Sequence, residues 1–261
     1  MSENFSTIAI VGATSGLGEG FVRRFHAQGK TVIATGPRLD RLQALQKEVP
    51  GVEVQQMDVS DITTLPDQVS KLLKSFPKID TVMAMAGIQK SFDFKDPESS
   101  SVQSITSEVT TNVTAPMILA QTMVPRLLSQ KRPTSFILVS SGLAYVPMPL
   151  YPVYCPTKAA MHAFAITLRG QLLGTSCNVI ELAPPYVDTG LDAEHRESVV
   201  QQQGGEEKAM KPMGLAEYLD ASIATFEQDG VKEVATDFSQ MGVNAWRGAF
   251  GPIYKTRGMD V

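Results

Sequence analysis

The stretch Ile8-Ala9-Ile10-Val11-Gly12-Ala13-Thr14-Ser15-Gly16-Leu17-Gly18 sets an apolar run directly before three closely spaced glycines. The run has the length of a buried parallel strand. A helical pattern follows the glycines through Phe21, Val22 and Phe25, and stops at Gly29. A strand, a Gly-rich turn and a helix N-terminus together make an anion seat, because free backbone N–H groups and the helix dipole converge there. The spacing is Gly-x3-Gly-x-Gly, not the commoner Gly-x-Gly-x-x-Gly, and by itself it also suits an ordinary tight turn.

Working outward, Thr31-Val32-Ile33-Ala34-Thr35 reads as a second strand ending at Gly36-Pro37-Arg38. An acid at that point would hold a ribose 2′-hydroxyl, and none is present. Arg38 suits a 2′-phosphate instead, which points to NADP(H). The competing reading is a solvated Arg38 opening a helix over 39–49. Residues 52–57 alternate as a third strand that leads to Asp58 and Val59. Asp58 is suited to bind an adenine amine, and Asp61 to cap the next helix. Residues 79–85 give a fourth strand that stops at Ala86-Gly87. Strands alternating with helices in this way predict an α/β fold: a Rossmann-type doubly wound parallel sheet of about seven strands, with helices on both faces. Ligands of such sheets lie at the carboxyl ends of the strands.

Residues 102–129 read as one long helix containing Asn112, with Pro116 predicting a kink beside it. Asn112 itself suits either a site role or an ordinary buried amide. A fifth strand at 135–139 runs into Ser140-Ser141, and a Pro-rich loop then enters a helix over about 153–173. Tyr154 and Lys158 share one face of that helix. A fixed positive charge beside a phenol is expected to lower its pKa and allow proton exchange with a substrate oxygen. Ser141 would stand opposite as a second hydrogen-bond donor. Leu143, Tyr145, Met148, Pro185 and Tyr186 are candidates for the wall of a fairly hydrophobic substrate pocket. His162 reads as a packed or interfacial histidine.

Residues 177–183 form the sixth strand, followed by the rigid turn Pro184-Pro185-Tyr186-Val187-Asp188-Thr189 where a nicotinamide would lie. The polar, Gly-broken residues 190–213 suit a mobile loop or short helices. A final helix (215–228), a short strand (231–236) and an irregular aromatic tail with Trp246, Phe250 and Tyr254 complete the chain. We expect a single dinucleotide-binding domain over 1–261, with 186–213 as a substrate lid and 242–261 as the tail.

Composition narrows the function classes. Across 261 residues, 43% are hydrophobic and 19% charged, which is ordinary for a soluble globular protein. A net charge of −4 argues against nucleic acid or an anionic membrane as partner. The two cysteines, Cys155 and Cys177, are too few for a disulfide framework and suit a reducing, cytoplasmic setting. Cys155 is read as packing, not as a nucleophile. No signal peptide is expected from the polar start Met1-Ser2-Glu3-Asn4, and His26, His162 and His195 are too scattered for a metal site.

Taken together, these residues resemble the short-chain dehydrogenase/reductase family, over nearly the whole chain through about residue 190. The family's Thr-Gly-x3-Gly-x-Gly turn appears with Val11 in place of the Thr. Its Asn, Ser, Tyr and Lys fall on Asn112, Ser141, Tyr154 and Lys158. The Pro-Pro-x-Val-Asp-Thr wording is similar to that of the DltE-type oxidoreductase subgroup. The resemblance implies that Tyr154 exchanges a proton with a carbonyl or alcohol oxygen and that Ser141 orients that oxygen. It implies that Lys158 binds the nicotinamide ribose and lowers the Tyr154 pKa, and that Asn112 holds a water linking Lys158 to solvent. Cofactor contacts are expected at Gly12, Thr14, Ser15, Gly16, Leu17, Gly18, Arg38, Asp58, Val59, Ala86, Gly87, Tyr154, Lys158, Pro184, Val187 and Thr189. A homodimer or homotetramer pairing through the two long helices is implied as well.

Three departures stand out. The family's Asn-Asn-Ala-Gly reads Ala84-Met85-Ala86-Gly87, its Pro-Gly reads Pro184-Pro185, and the basic residue often found before the second Gly of the turn is Ser15. The expected function is NADP(H)-dependent interconversion of a carbonyl and an alcohol. Its rivals are a dinucleotide-binding regulatory or scaffold protein without turnover, and a related reaction such as imine or enone reduction, dehydration or isomerisation.

Overall fold

The computed structural model describes residues 5–259. The apolar runs form strands β1 (Thr7–Val11), β2 (Thr31–Gly36), β3 (Glu53–Gln56), β4 (Thr81–Ala84), β5 (Thr134–Val139), β6 (Cys177–Ala183) and β7 (Glu233–Ala235). They pair in parallel as one seven-stranded sheet in the order β3-β2-β1-β4-β5-β6-β7. The order reverses between β1 and β4, the point where an open parallel sheet leaves a crevice at its carboxyl edge.

In the first half, helices α1 (Gly16–Ala27), α2 (Leu39–Glu48) and α3 (Leu65–Ser75) connect the strands. Next come α4 (Val102–Val109) and α5 (Ala115–Ser129), then α6 (Tyr154–Gln171). The chain closes with α7 (Arg196–Gln202), α8 (Leu215–Phe226) and α9 (Asp237–Thr256). Because side chains alternate across a strand, β1 feeds both layers of the core. Ile8 and Ile10 pack with Phe21 of α1, Leu42 of α2 and Tyr218 of α8. Ala9 and Val11 pack with Leu72 of α3, Met123 of α5 and Ala165 of α6. Each fully buried large side chain contributes roughly 1.5–3 kcal/mol, so the two layers hold the sheet, and with it the crevice, in place.

The long helix expected over 102–129 is broken as the sequence implies. A π turn at Thr110–Thr114 joins α4 to α5. Pro116 has no N–H to offer the Asn112 carbonyl four residues earlier, which explains why the regular ladder fails there. Asp61 caps differently from expectation. Its carboxylate accepts from the N–H and hydroxyl groups of Thr63 and Thr64, inside the turn that precedes α3, so it caps the approach and not the helix.

The irregular tail is a correction. Residues 237–256 form the helix α9. Gly242, Gly248, Gly251 and Pro252 are poor helix formers, yet tertiary packing overrides them. A Cβ at residue 242 would meet the Tyr145 side chain at 2.8 Å, so that glycine is where the helix presses on its neighbour. Trp246 packs against Phe250 and Tyr254 along the helix, with ring centroids 5.7 Å apart in each pair. Residues 190–213 carry the short helix α7 among turns. The excursion is pinched at its base, where Asp188 N–H donates to the Met213 carbonyl and Met213 N–H to the Tyr186 carbonyl. Among the described residues, no helix is long and apolar enough to cross a membrane.

Candidate active site

The carboxyl ends of β1, β4, β5 and β6 open into one cavity of about 1100 Å³. Every cofactor-contact residue expected from the sequence lines it, as do Ser141, Tyr154 and Lys158. Its first wall is the turn between β1 and α1. Gly12 has φ +98°, and a Cβ there would come within 2.5 Å of the Ala86 backbone nitrogen. A Cβ on Gly18 would collide with the Gly12 carbonyl oxygen. Both positions therefore need glycine. No side chain caps the N-terminus of α1, so its first-turn amides, which have no partners within the helix, face the cavity end of the turn.

Arg38 reaches over this turn. Its Nε and Nη2 donate to Thr14 Oγ1 at 3.2 and 2.7 Å, and Nη2 donates to Ser15 Oγ at 2.9 Å. Ser15, which stands where a basic residue is often found, is thus one of the groups that hold the guanidinium in place. Asp58 also lines the cavity, with Oδ1 accepting from the Ser60 N–H and hydroxyl.

The opposite wall carries the hydroxyl, phenol and ammonium. Ser141 follows β5 and precedes a short 3-10 turn at Gly142–Ala144, and its Oγ accepts from the Leu143 N–H at 3.2 Å. The Ser140 and Gly142 N–H groups donate to the Leu182 and Pro184 carbonyls, which ties the Ser141 loop to the end of β6. Tyr154 and Lys158 are both buried, with Lys158 Nζ 5.4 Å from the phenol ring centroid. Nζ donates to the Val139 carbonyl at 3.1 Å. Burial pulls the ammonium down to about 8, against the upward pull of Glu108.

The expected lowering of the phenol pKa is corrected. Burial pushes Tyr154 well above its ordinary value, and a hydrogen bond with Ser141 only partly offsets this. With its charge turned to Val139, Lys158 does not overcome the desolvation of a phenolate.

Asn112 is buried and lies behind the cavity wall, not on it. Its Nδ2 donates to the Ile88 carbonyl at 2.8 Å and to Thr157 Oγ1 at 3.2 Å, and its Oδ1 accepts from Ile88 N–H at 2.9 Å. The amide side chain thus holds the strand-four loop, which has lost the family's own amides at Ala84 and Met85.

Tyr145 is also corrected. It points away from the substrate space, and its hydroxyl donates to Glu181 Oε1 at 2.9 Å. Leu143, Met148, Pro185 and Tyr186 do line the cavity, joined by Tyr151, Val199 and Met210.

Two acids that matter here carried no signal in the sequence. Glu108, one turn before Asn112, is fully buried; Oε1 accepts from Lys90 N–H at 3.0 Å and Oε2 has no partner. Burial pushes it up to about 7, with the Lys90 N–H and the charges of Lys90 and Lys158 pulling the other way. Asp192, 2% exposed, accepts from the Tyr186 hydroxyl at 2.6 Å and from Arg196. Burial would raise its pKa, but Arg196 and Tyr186 outweigh burial and hold it below the usual carboxylate range.

Known proteins share this fold. A family model described as short chain dehydrogenase matches residues 6–199. An oxidoreductase of Bacillus subtilis (strain 168), called "Uncharacterized oxidoreductase DltE", is 38% identical over 193 residues, covering 74% of this chain and 75% of its own. Two solved structures share the fold. A short-chain dehydrogenase from Sphingobium yanoikuyae in complex with NADPH has a TM-score of 0.78 at 21% identity, over 96% of this chain and 95% of that one. A short chain dehydrogenase/reductase from Burkholderia phymatum in complex with NAD has a TM-score of 0.79 at 18% identity, over 97% and 96%. From the extent of these matches and the Gly turn, serine, tyrosine and lysine gathered at one cavity, this chain belongs to the short-chain dehydrogenase family.

Proposed function

We propose that this protein is an NADP(H)-dependent oxidoreductase that interconverts a carbonyl and an alcohol on a fairly hydrophobic organic substrate. The observation that carries the reading is that Ser141, Tyr154 and Lys158 line the same cavity as the Gly12–Gly18 turn and Arg38. The turn suits a pyrophosphate, since Gly12 and Gly18 let its backbone fold tightly against Ala86 and onto itself, and the amides at the start of the helix behind it are uncapped. Arg38 is the group for a 2′-phosphate, and Asp58 for the adenine side. Relatives of this fold crystallised with NADPH in one case and NAD in another, so the preference for NADP(H) rests on Arg38.

When bound, the nucleotide supplies or accepts the hydride at the substrate carbon. This chain's residues manage the oxygen. The Tyr154 phenol, kept protonated by burial, donates its proton to the carbonyl oxygen, and Ser141 donates a second hydrogen bond to the same atom. The Lys158 ammonium, charged below about 8, stabilises the phenolate left behind. Apolar groups such as Leu143, Met148 and Val199 keep water from the oxygen and set the substrate's character. We propose residues 186–213 as the lid over this space. Exposed apolar side chains on α4 and α5, Val102, Val109 and Met117, support pairing of two or four copies there.

The test is NADPH consumption over a panel of aldehydes and ketones, with product identified by mass. Turnover of at least one apolar carbonyl by the wild type is expected. Tight NADPH binding with no turnover on any member would favour a regulatory role and sink the enzyme reading.

A further inference from the structure

Behind the Ser141 loop lies a polar cluster of which only Ser140 lines the cavity. Glu181, on β6 and 0% exposed, accepts through Oε1 from Ser140 Oγ at 2.5 Å and from the Tyr145 hydroxyl at 2.9 Å. His162 Nδ1 stands 2.8 Å from Oε2. Ser140 immediately precedes Ser141, Tyr145 ends the 3-10 turn that follows it, and His162 lies one turn beyond Lys158 on α6. One carboxylate therefore grips the chain on both sides of Ser141 and also the helix that carries Tyr154 and Lys158.

Such a group is costly to bury unless it is fully paired. An apolar side chain would fill a sheet position without that cost, as Ile180 and Leu182 do on either side. What a carboxylate adds is direction, since three donors must point at two oxygens. Helix α9 closes the cluster from outside. Trp246 meets His162 at 4.7 Å with ring planes 87° apart, and a Cβ on Gly142 would come within 2.5 Å of Ser239 Oγ. Little room is left for the loop to move without breaking these bonds.

We propose that Glu181 is a positioning residue for Ser141: by anchoring Ser140, Tyr145 and His162, it holds the Ser141 loop in register with α6 so that hydroxyl and phenol meet one substrate oxygen. Its catalytic consequence rests on the carbonyl-reductase reading, whereas its structural consequence does not.

The experiment uses the full chain with Glu181→Gln, Ser141→Ala and the double variant, and Ser140→Ala as a milder change. Hydrogen exchange should be roughly tenfold faster at the 141–146 amides in Glu181→Gln, with the β1–α1 turn unchanged. Unchanged protection at 141–146 overturns the proposal. On a carbonyl substrate, Glu181→Gln should lower kcat by about 10–100-fold with KM for NADPH within about twofold. In the Ser141→Ala background the same change should cost less than about twofold. Equal losses in both backgrounds would show a merely structural role and overturn it. If the wild type reduces no carbonyl, the function reading fails while exchange still decides the positioning claim. If Glu181→Gln does not fold, Ser140→Ala carries both measurements, with about three- to tenfold effects in the same directions expected and none overturning it.

Discussion

The Asn112 carboxamide and the Ile88 peptide form a two-point pair: Nδ2 donates to the Ile88 carbonyl at 2.8 Å, and Ile88 N–H donates to Oδ1 at 2.9 Å. The pair joins the π turn to the loop after β4. It supplies an amide clamp in a segment where Ala84 and Met85 have none. Asn112→Ala leaves both Ile88 groups without their partner, at a cost of about 2 kcal/mol. Denaturant unfolding should show that loss, and NADPH affinity should fall because Ala86 and Gly87 line the cavity just upstream. Unchanged stability and affinity would mean the pair holds nothing.

Arg38 is prepositioned by Thr14 and Ser15 rather than by an acid. Two charge-assisted bonds to a 2′-phosphate would set the nucleotide preference. Calorimetry should find NADPH bound more tightly than NADH, and Arg38→Ala should weaken NADPH by roughly 10–100-fold while leaving NADH within about twofold. Equal affinities in the wild type would remove the 2′-phosphate assignment.

Glu108 links stability to pH. Its folded-state pKa of about 7 lies above the ordinary 4.5, so between those values the folded chain keeps a proton that the unfolded chain has lost. The stability this provides is present below the lower value and is lost as pH rises through the upper one. Glu108→Gln should flatten the dependence. The variant should gain on the wild type by roughly 2 kcal/mol between about pH 4.5 and about pH 7.5, read from unfolding midpoints. Parallel curves would place the Glu108 carboxyl back in its ordinary range.

Lys158 gives a separate kinetic limb. Because kcat/KM reports groups of the free enzyme, carbonyl reduction should decline above about pH 8, where the ammonium loses its proton. A flat profile through that range would dissociate Lys158 from the reaction.

Much of this was legible because it is written locally. The Gly12–Gly18 turn follows its strand without a gap, and Tyr154 and Lys158 are one helical turn apart. Pro116 marks the break at Asn112 by its missing N–H. What escaped is tertiary. Glu181 stands in a mostly apolar strand and Glu108 in a helix, and neither spacing nor composition brings them beneath Ser141 or near Lys158. Tyr145 follows the Ser141 loop in sequence and so suggests a pocket wall, but the 3-10 turn at Gly142–Ala144 redirects it inward. Helix α9 was hidden by its glycines and Pro252, whose low helix propensity is overridden by docking on Tyr145 and His162.

The central claim is that Tyr154 gives a proton to an oxygen while the adjacent carbon receives hydride. The direct measurement uses NADPH deuterated at both C4 positions, an accepted carbonyl substrate, and mass analysis of the product for wild type and Tyr154→Phe. The account predicts an alcohol carrying deuterium at the carbinol carbon, formed roughly 10²–10⁴-fold more slowly by the variant. A product without that deuterium, or one formed as fast by Tyr154→Phe, would contradict it.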